Sequence, residues 1–318
     1  MSLLSRVADN LYWFGRYLER AENTARLILA YSNLTLDLPK RSKLEWYSLV
    51  QISGADEAFA QCAQKPTEFG VLRFMIDELN NPGSIRSSLR AARENLRSTR
   101  DRMPREVSES MNTLYGFMNS NADGSIRRTS ARHAYLRGVV DHCQMLRGYM
   151  GAAMTQDLGY HFIRAGRQLE RADMTTRIMD VRLEGLLPDD PDLPAAFGPL
   201  QWMAVLRSLS AYQMFRRAHR GPIRGREVIE FLLMDPLFPR SVQHSLGQVK
   251  NCVRHMPRHQ APLDCVDAVL QGLAAQKVSL LSANKSALRD TIDGLQSDLI
   301  GVHNVLAQTY FDLGVAEV

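Results

Sequence analysis

A chain of 318 residues, 45% hydrophobic and 23% charged, has the balance of an ordinary globular protein. It is long enough to bury around three quarters of its unfolded surface without disulfide or metal staples. The formal net charge of +5, with a pI near 9.1, is a mild basic excess that suits anionic partners but does not select nucleic acid.

From the N-terminus, Met1-Ser2-Leu3-Leu4-Ser5-Arg6 runs directly into Asp9 with no apolar leader, so the chain is expected not to be exported. The first helix is predicted from Ser2 to Leu36, ending at Pro39-Lys40-Arg41. A second covers Leu44 to Gln61, and a shorter one follows Pro66. Asn80-Asn81-Pro82-Gly83-Ser84 reads as a turn, with Ser84 placed to cap a helix from Ile85 to Arg102. Pro104 opens the next helix, to about Asn119. Asn119 to Ser125 is the most loop-like stretch, and a long helix from Ser130 to Gln156 completes the first half. In the second half, a helix reaches Leu186, and the proline-rich acidic stretch Pro188 to Pro194 forms a connector. No stretch alternates with the period of a strand, and no apolar run approaches the roughly 18 residues of a membrane span.

The second half repeats the first. Gly15-Arg16-Tyr17-Leu18-Glu19-Arg20-Ala21-Glu22-Asn23-Thr24-Ala25-Arg26 returns as Gly166-Arg167-Gln168-Leu169-Glu170-Arg171-Ala172-Asp173-Met174-Thr175-Thr176-Arg177, an offset of 166 − 15 = 151. Trp46-x-x-Leu49-Val50 answers to Trp202-x-x-Val205-Leu206 at 202 − 46 = 156, and Phe74, Pro82 and Ser84 to Phe231, Pro239 and Ser241 at 157. The expected fold is all-α: an internally duplicated helical bundle with about six helices per half and pseudo-twofold symmetry. Residues 1–157 form the first repeat and 158–318 the second, packed as one globular unit.

On a helical wheel Arg16, Glu19, Glu22, Asn23 and Arg26 share one arc, with Arg20 at its edge, while Phe14, Leu18, Ala21, Ala25 and Ile28 lie opposite. Arg167, Glu170, Asp173 and Arg177 share the corresponding arc in the second copy, with Arg171 beside them. Two readings fit this stripe. One is a solvated face laced with weak pairs three or four residues apart; the other is an ionic network, partly buried or facing a ligand, which explains why the charges keep register while neighbouring apolar residues diverge. A metal at these carboxylates is not expected: neither copy supplies Glu-x-x-His, and arginines crowd every acid.

Elsewhere, Arg216, Arg217, His219, Arg220, Arg224 and Arg226 surround a Gly-Pro turn leading into a helix, where guanidinium forks and free N–H groups suit an anion. The alternative is a solvated loop, or one docked on the acidic connector. Trp13, Trp46 and Trp202 read as packing residues. The cysteines Cys62, Cys143, Cys252 and Cys265 form no C-x-x-C pair and no finger-like spacing with the histidines, which fits reduced thiols in a cytoplasm. There is no Gly-rich phosphate loop, nucleophile elbow or Cys/His arrangement, so no cofactor is implied.

The run Asn10-Leu11-Tyr12-Trp13-Phe14-Gly15-Arg16-Tyr17-Leu18-Glu19-Arg20-Ala21-Glu22, its second copy, and Glu230-Phe231-Leu232-Leu233-Met234-Asp235-Pro236-Leu237-Phe238-Pro239-Arg240-Ser241-Val242 resemble the alpha-E family, a bacterial all-helical family named for its Glu-Arg motif. The likeness covers essentially the whole chain. His219 departs from it, standing where an aromatic is expected before Arg220-Gly221. The resemblance implies a neighbourhood with a circularly permuted ATP-grasp ligase and a transglutaminase-like cysteine peptidase, hence ATP-driven amide-bond formation on a peptide or small metabolite.

The leading expectation is therefore an accessory or substrate-presenting partner of an ATP-grasp amide or peptide ligase, with a charged Glu/Arg cleft that takes an anionic peptide or metabolite. An enzyme acting on a carboxylated substrate, with Glu19 or Glu170 as general base between the repeats, is the second. A basic nucleic-acid binder ranks last, because few aromatics interleave with the basic residues.

Overall fold

The computed structural model describes residues 4–37, 45–62, 64–180 and 197–312. Every regular element among them is a helix: α1 (Ser5–Asp37), α2 (Ser48–Ser53), α3 (Asp56–Gln61), α4 (Glu68–Ile76), α5 (Ile85–Ser98), α6 (Arg105–Arg127) and α7 (Thr129–Ala153), then α8 (Leu158–Asp180), α9 (Phe197–Ser208), α10 (Tyr212–Ala218), α11 (Gly225–Met234), α12 (Val242–Arg254), α13 (Gln260–Ala274), α14 (Val278–Ala283) and α15 (Lys285–Tyr310). A 3-10 turn, Arg100–Arg102, links α5 to α6. The all-α expectation holds. The acidic connector 188–194 lies outside the described residues.

Short polar residues set several helix starts. Ser84 Oγ accepts from Ser87 N at 3.0 Å to open α5, Ser241 Oγ accepts from His244 N at 3.0 Å to open α12, and Asn284 Oδ1 accepts from Ser286 N at 2.9 Å to open α15. Gly54 ends α2 in the left-handed conformation at φ 64°, where a side chain would be strained.

The loop expected at 119–125 is instead continuous helix within α6. Asn121 and Ser120 return hydrogen bonds to the Phe117 and Gly116 carbonyls one turn back, and Met118, Ala122, Ser125 and Ile126 are buried. Packing along that stripe, with α7 beside α6, outweighs the poor intrinsic helix propensity of the polar residues. The single helix expected over Leu44 to Gln61 is two short ones, α2 and α3, broken at Gly54.

The centre is the pair α1 and α8. At 33 residues, α1 is about 50 Å long and meets α8, α5, α7, α9 and α15 along its length. Its apolar arc (Leu11, Phe14, Leu18, Ala21, Ala25, Ile28) is buried, and so is its charged arc at Glu19, Glu22 and Asn23. The solvated-face reading of the stripe is thus overturned at those positions. The two helices run in the same direction, because contacts advance together: Gly15 lies against Ile163 and Gly166 against Tyr12, then Glu19 meets Arg171 and Arg20 meets Glu170. Outward from the pair, α5 flanks α1 while α12 flanks α8, and α6 with α7, and α13 with α15, close the two sides.

The approach at the glycines is direct backbone contact. A Cβ on Gly15 would sit 2.1 Å from the Ile163 carbonyl oxygen, and one on Gly166 would sit 2.2 Å from that of Tyr12. No side chain fits there, so these two glycines set how closely the charged arcs of α1 and α8 face each other.

Candidate functional site

The glutamate of each Glu-Arg pair reaches across to the arginine of the other pair. Glu170 accepts from Arg20 Nε at 2.5 Å and Nη2 at 3.0 Å, and from Arg16 Nε at 2.7 Å. Glu19 accepts both prongs of the Arg171 fork, Nε at 2.8 Å and Nη2 at 2.9 Å. Such bidentate, charge-assisted pairs are the strongest polar contacts the chain can make.

Two further arginines, neither singled out from the sequence, complete the Glu19 side. Arg240, at the start of α12, donates to Glu19 Oε1 at 3.1 Å, Asn23 Oδ1 at 2.8 Å and Glu22 Oε1 at 2.7 Å. Arg147, from α7, reaches Glu19 at 3.0 Å and also contacts Glu22. The stripe's own Arg26 donates to Glu22 at 2.8 Å and to Ser210 Oγ, and Arg177 donates to Asp173 at 2.8 Å. Four guanidiniums therefore surround Glu19 and Glu22, and three surround Glu170 and Asp173. Arg147 had a sequence signal: it sits on the buried Cys143, Leu146, Met150 stripe of α7, where a charge needs a partner. Arg240 precedes Ser241 as Gly83 precedes Ser84.

Burial alone would raise the acid pKa values. For Glu170 the charges of Arg20 and Arg16 outweigh it and bring the group down to about 2 from 4.5. For Glu19, burial is outweighed by Arg171, Arg240 and Arg147, which hold it well below the ordinary carboxylate range. Glu22, pushed up by burial and by Glu19, is brought back below its usual value by Arg240, Arg147 and Arg26. All three are thus carboxylates at neutral pH. Because their folded values are depressed, the stability they contribute is present above about 4.5 and is lost as pH falls from there toward 2. Acid titration of unfolding free energy should show this slope over that window, and Glu170→Gln should make it shallower.

Arg167 is the one member of the expected network that stands apart. It makes no ion pair among the described residues, its buried Nε has no hydrogen-bond partner, and burial together with nearby Arg171 lowers its pKa to about 10. Removing an unpaired, partly buried charge is cheap or favourable. Arg167→Met is expected to leave urea-unfolding stability unchanged or raised, whereas Arg240→Met should lower it by about 3 kcal/mol or more.

The arginine loop does not converge. Arg216, Arg217, Arg220, Arg224 and Arg226 are all exposed; Arg216 turns back to the Gly221 carbonyl, and Arg224 lies 3.9 Å from Glu227. His219 stacks on Phe215 with centroids 4.6 Å apart, so it packs as an aromatic ring would. Trp46 and Trp202 are core residues, and half-buried Trp13 lies under the Arg16 guanidinium at 5.2 Å. All four cysteines are free thiols. Among the described residues no group of three or more His, Cys, Asp or Glu is placed to hold a metal, and no helix is long and apolar enough to cross a membrane.

One cleft opens onto the network. It encloses roughly 330 Å³ beside α2, α3 and the turn at Gly83, with Arg20, Glu57, Glu170, Asp173 and Arg177 in its walls. On the opposite side, the corresponding space beside Glu19 and Glu22 is taken by Arg240.

The chain is similar to proteins named as uncharacterized. Uncharacterized proteins of Mycobacterium bovis and of the CDC 1551 strain of Mycobacterium tuberculosis are each 23% identical over 332 aligned positions, and one from strain H37Rv is 22% identical. The alignments cover 91% of this chain but 36% of those proteins, so the chain spans about a third of the length of the curated relatives it matches. No solved structure matches. The family model Alpha-E, described as a predicted alpha-helical domain with a conserved ER motif, matches residues 3–311. The chain carries Glu-Arg at 19–20 and again at 170–171, and it belongs to the Alpha-E family.

Proposed function

We propose that this chain is a non-catalytic, substrate-presenting helical partner of an ATP-grasp-type amide or peptide ligase system in the cytoplasm, with the Glu/Arg core as a rigid frame and the adjoining cleft as its ligand-facing part. The observation that carries this reading is the saturation of the central carboxylates. A general base must take a proton near neutral pH; Glu170 lines the cleft, but Arg20 and Arg16 bring it down to about 2, so it does not. Glu19 is held by three guanidiniums and is equally committed. The fact that relatives carry this unit as about a third of a longer chain supports a role beside other machinery. The four free thiols fit a reducing compartment.

The same proposal takes 1–157 and 158–318 as two copies of one helical unit. Supporting it are the paired contacts across α1 and α8: Gly15 and Gly166 each meet backbone of the facing helix, and Glu19 and Arg20 pair with Arg171 and Glu170.

Co-purification and size-exclusion chromatography with the ATP-grasp ligase of the same neighbourhood should give a stable complex or a changed ligase turnover. Absence of both, with turnover of a ligase product or precursor by the purified chain alone, would overturn the proposal in favour of an enzyme.

A further inference from the structure

The two flanks of the central pair share one backbone arrangement and differ in one side chain. Thr24 Oγ1 donates to the Gly83 carbonyl at 3.2 Å, and Thr175 Oγ1 donates to the Arg240 carbonyl at 2.9 Å. The next residues, Ser84 and Ser241, cap α5 and α12 and donate to the carbonyls of Glu78 and Asp235. Gly83 therefore stands toward α1 as Arg240 stands toward α8. Arg240 sends its guanidinium between Glu19, Glu22 and Asn23. Gly83 sends nothing, and the cleft opens there instead.

Charge and acceptors in the cleft fit the group that is missing. Three carboxylates (Glu57, Glu170, Asp173) and two guanidiniums (Arg20, Arg177) line it. Asp173 accepts from Arg177 through Oδ2 at 2.8 Å, while its Oδ1 accepts no hydrogen bond among the described residues. Glu57 is exposed at the rim and makes no ion pair among those residues. By position Glu170 and Asp173 match Glu19 and Glu22, two of the three acceptors that Arg240 uses; Met174 stands where Asn23 would supply the third.

We infer that this cleft receives the guanidinium group of a ligand, which occupies beside Asp173 and Glu170 the place that Arg240 fills on the opposite flank. Either an arginine side chain in a peptide or a free guanidino metabolite carries that group. The inference rests on the cleft alone and holds whether or not a ligase is the partner.

Calorimetric titration of the full chain with arginine, agmatine and a capped arginine tripeptide tests it, with citrulline and glutamate as controls. Guanidinium compounds should bind, and uncharged citrulline should bind at least about tenfold more weakly. Asp173→Asn should weaken binding about tenfold. Gly83→Arg, which supplies the guanidinium from the matched position, should abolish it while the helical circular dichroism is kept. A Cβ on Gly83 meets only Asn81 Oδ1, at 3.3 Å; should that variant still fail to fold, Asp173→Asn decides. Tighter binding of the tripeptide assigns a peptide ligand, and tighter binding of agmatine or arginine assigns a metabolite. The inference falls if no guanidinium compound binds, if citrulline binds equally well, if glutamate binds in their place, or if a folded Gly83→Arg binds as the parent does.

Discussion

Glu19→Gln is expected to lower the unfolding free energy by about 3 to 5 kcal/mol, the range for stranding buried charges by removing one partner. For a chain of this length, that corresponds to a fall in the thermal midpoint of roughly 5 to 7 °C. Glu19 has no solvent exposure and is the common acceptor of Arg171, Arg240 and Arg147. A neutral amide keeps the shape but loses the charge that offsets those guanidiniums, and its NH₂ presents donors where three donors already point. Glu94→Gln, at an exposed pair with Arg97, should leave the midpoint within error, since solvated pairs contribute little. Thermal unfolding of the two variants beside the parent checks the contrast. An unchanged midpoint for Glu19→Gln would mean that the acid is held for chemistry and not for the fold.

A comparable loss, about 3 kcal/mol or more, is expected for Gly15→Ala or Gly166→Ala. The new methyl would lie 2.1 or 2.2 Å from a carbonyl oxygen of the facing helix, so the helices must move apart. Separation is doubly costly, because the reciprocal Glu-Arg pairs lie one to two turns further along and depend on the same spacing. Gly148→Ala in α7 is the internal comparison: nothing lies within 4 Å of its Cβ position. There, the gain in helix propensity should raise stability by roughly 0.5 to 1 kcal/mol. Urea unfolding of the three variants should therefore show two large losses and one small gain.

The sequence carried much of this arrangement. The doubled Gly-Arg-x-Leu-Glu-Arg run marked both central helices, and Ser84 was legible as a cap from its place after Pro82-Gly83. The wheel of residues 15–26 showed that the charges share an arc, yet it could not say what that arc meets. The apolar arc of α1 is buried and so are Glu19, Glu22 and Asn23 of its charged arc, where amphipathic reasoning assigns water by default. Arg147 and Arg240 come from elements 128 and 221 residues from Glu19 in sequence, beyond the reach of any local pattern. The stretch 119–125 was misread because its asparagines and serines favour loops in isolation, while burial along α6 decides the matter in the folded chain. The arginines at 216–226 looked convergent in sequence, but α10, the turn and α11 leave them exposed.

Selective labelling of glutamate side-chain carboxyls, followed by NMR titration of the folded chain, measures the charge state on which the account depends. Glu170 should titrate near about 2, and Glu19 well below the roughly 4.3 of a free glutamate. A midpoint above about 5 for either Glu19 or Glu170 would contradict the closed guanidinium cage and return the pair to candidacy as a general base.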